Sequence, residues 1–364
     1  MKKFSSSDKE VRKALAAGAG AAAAIDLGDK HSEVCILDRA GEMLLRRRIP
    51  TSCVALEKLF GGLPPLRIAL ETGGQTNWVR RRLAALGHEV LVADAKRLKL
   101  IWDTHSKDDR RDALFLATIA LRWPELLHAV KPRSLESEQN RAMLSSRECL
   151  VEGRVKLMNN VRGVLKSLVV RLPKPASEAF VKRALEKIPA ELHEQLEPML
   201  QVIKQMTAQI DVFDKQVLKL CHERYREQTK RLLSVHGVGP LTALTFVLEL
   251  DGEVTWLSHS RAAGALVGLR PSRKESGESK PELGITKTGN RMLRRYLVQC
   301  AHYVLGRHGL DCALKRWGLK LAGTSKRGKK RAAVAVARKL AVLLHTLWRK
   351  DEDFDPTIGL TQAA

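Results

Sequence analysis

None of the six cysteines, Cys35, Cys53, Cys149, Cys221, Cys300 and Cys312, stands in a CxxC pair. Their spacing argues against a zinc knuckle or a disulfide framework and predicts buried thiols in a reducing cytoplasm. No apolar run has the length of a membrane span, so no membrane partner is expected. The N-terminal MKKFSSSDKEVRKALAAGAGAAAAIDLG resembles a signal peptide only superficially. Its apolar run is alanine and glycine, weakly hydrophobic, and closes on Asp26. The chain then reads GDK, without the spaced glycines of a phosphate cradle. Acids are outnumbered, 40 against 64 Lys and Arg, for a formal net charge of +24.

That charge favours a polyanionic partner through steering and counterion release. By itself it also fits an RNA-binding or ribosome-associated protein. Hydrophobic residues make up 44% of the chain, enough for real cores and too many for a disordered basic tail. A length of 364 residues suggests two or three domains.

Residues 1–20 read as a loose basic leader, followed by a strand AAAAIDLG ending on Asp26. HSEVCILDRAGEMLLRRRI reads as two antiparallel strands joined by a turn at Asp38 to Gly41. A short helix over 51–60, a strand ending at Glu71, the helix TNWVRRRLAALG and a strand ending at Asp94 come next. A loop and the helix in KDDRRDALFLATIALRW complete the region. The order βββ-α-β-α-β-α is that of a ribonuclease H-like α/β domain, expected over residues 21–130. Residues 131–232 are expected to be helical, with two long amphipathic stretches around Pro173 and Pro175 forming a coiled-coil-like hairpin. Residues 233–352 form a mainly helical, basic C-terminal domain, and 353–364 a frayed tail.

The candidate chemistry lies in four acids. Asp26 and Glu71 end strands that are neighbours in such a sheet, and Asp109 and Asp112 share one face of a helix start. Clustered carboxylates repel one another unless a cation sits among them. Oxygen-only ligands suit Mg²⁺ or Mn²⁺, which serve phosphodiester chemistry by activating an attacking oxygen and stabilising a leaving one. The plainer reading makes Asp26 a strand-end turn residue, and Asp109 and Asp112 an N-terminal pair offset by Arg110 and Arg111. Asp29, Asp94, Asp103 and Asp108 compete as ligands, and Lys107 is a candidate phosphate contact.

Two further segments draw attention. HGVGPLTALTFVLEL, with Gly237 and Gly239, resembles the turn of a helix-hairpin-helix element, which offers backbone N–H groups to phosphate; a bare structural turn fits equally. Ser276 lies in a polar loop with Arg273, Lys274, Lys280, Lys287 and Arg291 nearby. A serine nucleophile needs such cations on the phosphoryl oxygens, although serine-rich loops are ordinary. Asn290 and Arg294 open the next helix and are candidate backbone contacts, with capping and solvation as the alternatives.

Taken in order, AIDLGDKHSEVCILDRAGE, ETGG, KDDRRDA, HGVGPLTALTFVLEL and GLRPSRKESGESKPELGITKTGNRMLRRYLVQCA resemble the DEDD-type insertion-sequence transposases. These are the family of insertion sequence one-ten, with the pilin-gene inverting recombinases as relatives. The resemblance spans about residues 20–310. It implies a RuvC-like N-terminal domain, a coiled-coil region and a C-terminal transposase domain. The DEDD tetrad then falls on Asp26, Glu71, Asp109 and Asp112, metal-binding and catalytic, and the covalent nucleophile on Ser276. Implied partners are DNA, in some members a noncoding bridge RNA, and further copies of the chain in a dimer or tetramer. The implied setting is the bacterial cytoplasm, at the nucleoid. The chain departs from the family pattern in its leader, in ETGG, and in Asp108 at a position where threonine is usual. A RuvC-like nuclease using the acids alone and a non-enzymatic nucleic-acid-binding protein are the competing readings.

Overall fold

The computed structural model describes residues 8–17, 21–94, 109–172, 177–273, 281 and 283–358. It divides into two compact units, residues 1–132 and 133–364.

The first unit is α/β. Helix α1 (Asp8–Ala17) precedes β1 (Ala22–Asp26), β2 (His31–Leu37) and β3 (Met43–Pro50). Then come α2 (Cys53–Phe60), β4 (Arg67–Glu71), α3 (Thr76–Ala85), β5 (Glu89–Ala93) and α4 (Asp109–Arg122). From β1 to α4 this is the expected element order. The strands form one mixed sheet in the order β3-β2-β1-β4-β5. β1 runs antiparallel to β2 and parallel to β4, and β4 parallel to β5. The β2–β3 turn forms where the sequence suggests: Asp38 Oδ1 accepts from the backbone N–H groups of Gly41 (2.9 Å) and Glu42 (2.8 Å), with Gly41 at φ +95°.

The sheet's two faces differ in side-chain size. Ala23, Ile25, Val34, Ile36, Ile68 and Leu70 meet larger residues, among them Leu56, Phe60, Val79 and Leu83. The other face is built from Ala22, Ala24, Ala69 and Ala93, and receives Ala113, Ala117 and Ala120 of α4. Alanine on both sides lets helix and sheet pack closely at interior density. The leader is not wholly loose: α1 buries Val11 and Leu15 in the large-residue core, and Arg12 donates to the Gly61 carbonyl at 3.0 Å. Two apolar side chains one helical turn apart, set among lysines, are enough to dock it.

The second unit is helical. Its elements are α5 (Leu135–Ser167), α6 (Phe180–Leu185), α7 (His193–Lys219), α8 (Arg226–Leu233), α9 (Pro240–Glu249), α10 (Ala262–Leu266), α11 (Arg291–Leu305), α12 (Ala313–Ala322) and α13 (Lys326–Lys350). The long helices α5 and α7 lie antiparallel: Arg147 pairs with Asp214, and Arg154 donates to Thr207. Met158, Val161 and Leu165 pack with Leu196, Leu200 and Ile203. Pro173 and Pro175 lie outside the described residues. A second core gathers around α9, which is buried from Thr242 to Glu249, with α11 and α13 packed about it. The expected tail is partly anchored. Phe354 packs on this core and donates its N–H to Ser234 Oγ at 2.8 Å, while Arg231 holds Asp351 and Asp353.

The cysteines are free, but only four are buried. Cys53 and Cys149 are exposed, because one opens the short α2 and the other lies on the outer side of α5. Among the described residues, no helix is long and apolar enough to cross a membrane.

Among the described residues, each unit contains one buried histidine with both ring nitrogens hydrogen-bonded. His88 Nδ1 accepts the Leu66 N–H at 3.2 Å, so Nε2 carries the proton and donates to the Phe60 carbonyl at 3.2 Å. In the second unit, His345 Nε2 donates to the Val254 carbonyl and Nδ1 accepts from Ser260 Oγ, both at 3.0 Å. Burial pushes both pKa values below the ordinary histidine value, more than the carbonyl hydrogen bonds raise them. The unfolded chain therefore binds more protons below its own histidine pKa of about 6.5. Stability from both groups is complete above about pH 6.5 and is lost as pH falls toward the folded values. The melting temperature should drop between pH 7 and 5, and the double variant His88→Gln, His345→Gln should melt lower at pH 7.5 but with a shallower pH slope. An unchanged slope in that variant would remove the histidines from the account. Ala117→Leu, which inserts methylenes into the alanine seam, should cost about 1–3 kcal/mol in denaturant unfolding.

Candidate active site

Asp26 and Glu71 are the last residues of two neighbouring parallel strands. The register pairs Ile25 with Leu70, so the two acids follow side by side at the C-terminal edge of the sheet. Strand alternation then decides their face. Ala22, Ala24 and Ala69 lie on the α4 side, and Asp26 and Glu71 share their parity. Both acids are half-buried. The C-terminal edge of parallel strands is where open α/β sheets take their ligands.

The third acid comes from α4. Asp112 is half-buried and immediately precedes Ala113, which packs in the alanine seam with Ala24 and Ala69. The seam thus holds the first turns of α4 against the strands that end in Asp26 and Glu71. Asp109 is the first residue of α4, three before Asp112. Its side chain, Lys107, Asp103 and Asp108 lie outside the described residues. Among the described residues, no group of three or more His, Cys, Asp or Glu stands close enough to hold a metal ion. The donors that Asp26 and Glu71 offer at this edge are carboxylate oxygens, which suit a hard divalent cation rather than zinc. The competitor Asp94 follows β5, its N–H donating to the Leu127 carbonyl at 3.2 Å. Asp29 is exposed in the β1–β2 connection, as a turn residue would be.

In the second unit, the residues on either side of the serine segment pair with each other. Pro271 bridges Ile285 in antiparallel fashion. Ser272 N–H donates to the Gly284 carbonyl at 2.8 Å, Thr286 N–H to Arg270 at 2.9 Å, and Lys287 N–H to Gly268 at 3.0 Å. Lys274, Ser276 and Lys280 lie between these paired flanks, outside the described residues. Arg273, Lys287 and Arg291 are exposed. The ribbon sits tightly on its base: a Cβ on Gly289 (φ +78°) would fall 1.8 Å from the Leu266 carbonyl oxygen.

Asn290 and Arg294 have structural partners. Asn290 Oδ1 accepts the Leu293 N–H at 3.0 Å, capping α11, while Nδ2 donates to Glu249 Oε2 at 2.8 Å. Capping was one of the two readings of this residue, and the carboxamide is committed at both ends. Arg294 donates to the Val267 carbonyl at 2.9 Å and the Thr288 carbonyl at 3.0 Å, tying α11 to the ribbon. Burial, then the neighbouring Arg291 charge, push its pKa below the ordinary arginine value.

Glu249, which sequence reasoning passed over, anchors this base. It is 5% exposed at the end of α9 and pairs with Arg133, Arg141 and Asn290. Burial and the adjacent Arg141 lower the Arg133 pKa more than Glu249 and its acidic neighbours raise it. Desolvating a guanidinium is that expensive even beside a carboxylate. A lone acid ending an apolar helix run, LTALTFVLEL, was the available signal.

The glycine turn joins α8 to α9, a connection that a helix-hairpin-helix turn and a bare structural turn share. Its two glycines differ. Gly237 has φ +93°, and a Cβ there would lie 2.8 Å from the Tyr303 ring, whose other neighbour is His236 at a ring distance of 5.3 Å. Gly239 is the exposed N-cap of α9 at φ −94°, with nothing within 4 Å of a built Cβ. Packing therefore accounts for Gly237, and no steric demand accounts for Gly239.

The basic C-terminal region also forms a helix, as its sequence suggests. Arg327, Lys330, Arg331 and Arg338 recur at helical spacing along α13, opposite its buried stripe of Ala333, Val336, Ala337 and Leu340.

Comparison with known proteins bears on both units. Residues 23–170 match a DEDD transposase family model of the IS110 type, and residues 229–317 match the model described as the transposase IS116/IS110/IS902 family. The chain is 28% identical to the transposase for insertion sequence element IS1328 of Yersinia enterocolitica, covering 78% of this chain and 83% of that protein. It is 27% identical to the transposase for insertion sequence element IS1111A of Coxiella burnetii, over 91% and 90% of the two chains. It is also 27% identical to a probable family 20 transposase of Pseudomonas aeruginosa, over 91% and 98%. The acidic strand ends fall within the first family match and the glycine turn and serine segment within the second, and the chain belongs to the IS110-type family of insertion-sequence transposases.

Proposed function

We infer that this transposase cuts and rejoins DNA with a ribonuclease H-like acidic site and a serine nucleophile. The observation that carries the first half is the pairing of Asp26 and Glu71 at one edge of parallel β1 and β4, on the face that α4 covers. The strand order β3-β2-β1-β4-β5, three antiparallel strands followed by two parallel ones, supports the ribonuclease H-like reading. Asp26, Glu71, Asp109 and Asp112 are the residues that would hold Mg²⁺ or Mn²⁺. Such an ion, when bound, supplies charge stabilisation at the phosphoryl oxygens.

Ser276 is the attacking group. Its hydroxyl oxygen forms a bond to phosphorus as the bond to one DNA oxygen breaks, and the serine proton is passed on as the departing oxygen gains one. The phosphodiester energy is kept in the phosphoserine link. A hydroxyl from the new partner strand then attacks that phosphorus, and Ser276 leaves with a proton. Arg273, Lys274, Lys280, Lys287 and Arg291 surround the serine in sequence and offset charge on the phosphoryl oxygens. Lys107 and the backbone N–H groups around Gly237 and Gly239 are further phosphate contacts. The net charge of +24 suits a bridge RNA as well as DNA. A dimer or tetramer is the assembly in which two DNA ends meet.

Three variants test this reading. Asp26→Asn and Asp112→Asn should each lower strand transfer about 100-fold or more, the size of loss expected when transition-state charge stabilisation is removed, with DNA binding retained. Ser276→Ala should abolish a protein–DNA adduct trapped on a nicked substrate. Strand transfer that survives Ser276→Ala but not Asp112→Asn would make the chain a metal-site nuclease or transferase without serine chemistry. Survival in both would sink the proposed site.

A further inference from the structure

A groove of about 1580 Å³ runs along α13 in the second unit, bounded by the N-terminal half of α12, the ribbon residues around Pro271 and Leu283, and residues 352–358. Its floor is apolar, with Leu314 and Trp317 of α12 opposite Val334 and Leu343 of α13. Its rim is cationic. Arg327, Lys330, Arg331 and Arg338 line it from α13, Lys287 from the ribbon, and Lys339 Nζ lies 3.9 Å from the centre of the Trp317 ring. The acids on the opposite wall are engaged: Asp353 with Arg231 at 3.0 Å, Glu352 with Lys350 at 3.7 Å, and Asp355 with the Thr357 hydroxyl at 2.6 Å.

The groove is larger than the roughly 300–1,000 Å³ of a pocket for one small molecule. Its size and its course along α13 suit an extended occupant. It must also combine apolar faces with regularly spaced negative charge, to meet floor and rim together. Duplex DNA does not, because its base faces are stacked inside and only phosphates would reach the groove. A strand of unpaired nucleotides does, since each base has an apolar face and each link an anion. The cations Arg327, Lys330, Arg331 and Arg338 spread over about three turns of α13, so they follow the groove rather than marking one point.

We propose that this groove binds a short run of unpaired nucleotides, bases against Trp317, Leu314 and Val334 and phosphates along Arg327, Lys330 and Arg338. The proposal rests on the reading of the chain as a nucleic-acid-processing enzyme. It adds a binding site for single strands distinct from the acidic edge and the serine segment. The ribbon that flanks Ser276 forms one wall, so a strand opened during the reaction would lie beside the segment that carries the serine.

Fluorescence anisotropy of the full chain with labelled oligothymidylate, in EDTA so that metal chemistry plays no part, tests it. Trp317→Ala should weaken single-strand binding about tenfold, the loss of one stacked base, and leave a duplex of equal length unchanged. Trp317→Phe should restore most of the affinity, which separates stacking from a failure to fold. The pair Arg327→Glu, Lys330→Glu should weaken binding and reduce its salt dependence. An abasic strand should be insensitive to Trp317→Ala. Equal losses for duplex, abasic and single strands would overturn the proposal. So would single-strand binding unaffected by Trp317→Ala together with an altered sedimentation coefficient, which would make the groove a contact between copies of the chain. Loss of strand transfer in the acidic variants bears on the catalytic reading alone, since none of these binding measurements requires it.

Discussion

The candidate chemistry of the first unit depends on an alanine seam. Ala22, Ala24, Ala69 and Ala93 on the sheet meet Ala113, Ala117 and Ala120 on α4, flanked by the larger Leu37, Leu116 and Ile119. Larger side chains would lift the helix off the sheet. Small ones bring its first turn down toward the ends of β1 and β4, where Asp26 and Glu71 emerge. Close packing here does more than stabilise: it sets how near a helix-borne acid comes to two strand-borne ones. The opposite face, with Ile25, Ile36, Phe60 and Leu70, is the ordinary hydrophobic core that keeps the sheet rigid enough for this to matter.

The second unit uses a buried charge in a comparable way. Glu249 ends a helix buried all round and gathers Arg133, Arg141 and Asn290. Asn290 in turn caps α11, and Arg294, one turn on, fastens the ribbon. The flanks of the serine segment are therefore tied to the core through a short chain of hydrogen bonds, whose buried anion is compensated on several sides. Asn290 and Arg294, candidate backbone contacts to nucleic acid, also hold the ribbon. Among the described residues of this segment, Arg273, Lys287 and Arg291 face outward.

Much of this was legible in the chain. Alternation and turn residues were enough to order β1 to β5, because each strand is short and bounded by glycine, proline or aspartate. The long helices α5 and α7 announce themselves by periodicity. The α1 helix did not, since only Val11 and Leu15 separate it from a charged leader, and their burial depends on a core formed by residues far away in sequence. The anchoring of Phe354 was hidden for the same reason. Glu249 could be suspected as an acid closing an apolar run, but its partners lie 41 to 116 residues distant and carry no local pattern.

The sequence by itself determined the class of the protein: which acids end strands, where the basic helices run, and the ordered motifs that identify an insertion-sequence transposase. Those are local or sequential properties, written in periodicity, spacing and charge. The tertiary structure decided which side chains share a face and which are already engaged. It turned Asp26 and Glu71 into neighbours through strand register, gave Asn290 and Arg294 to the scaffold, and opened an apolar, cation-rimmed groove beside α13. Register, burial and groove shape all arise from contacts between distant segments, and no single stretch of the chain encodes them.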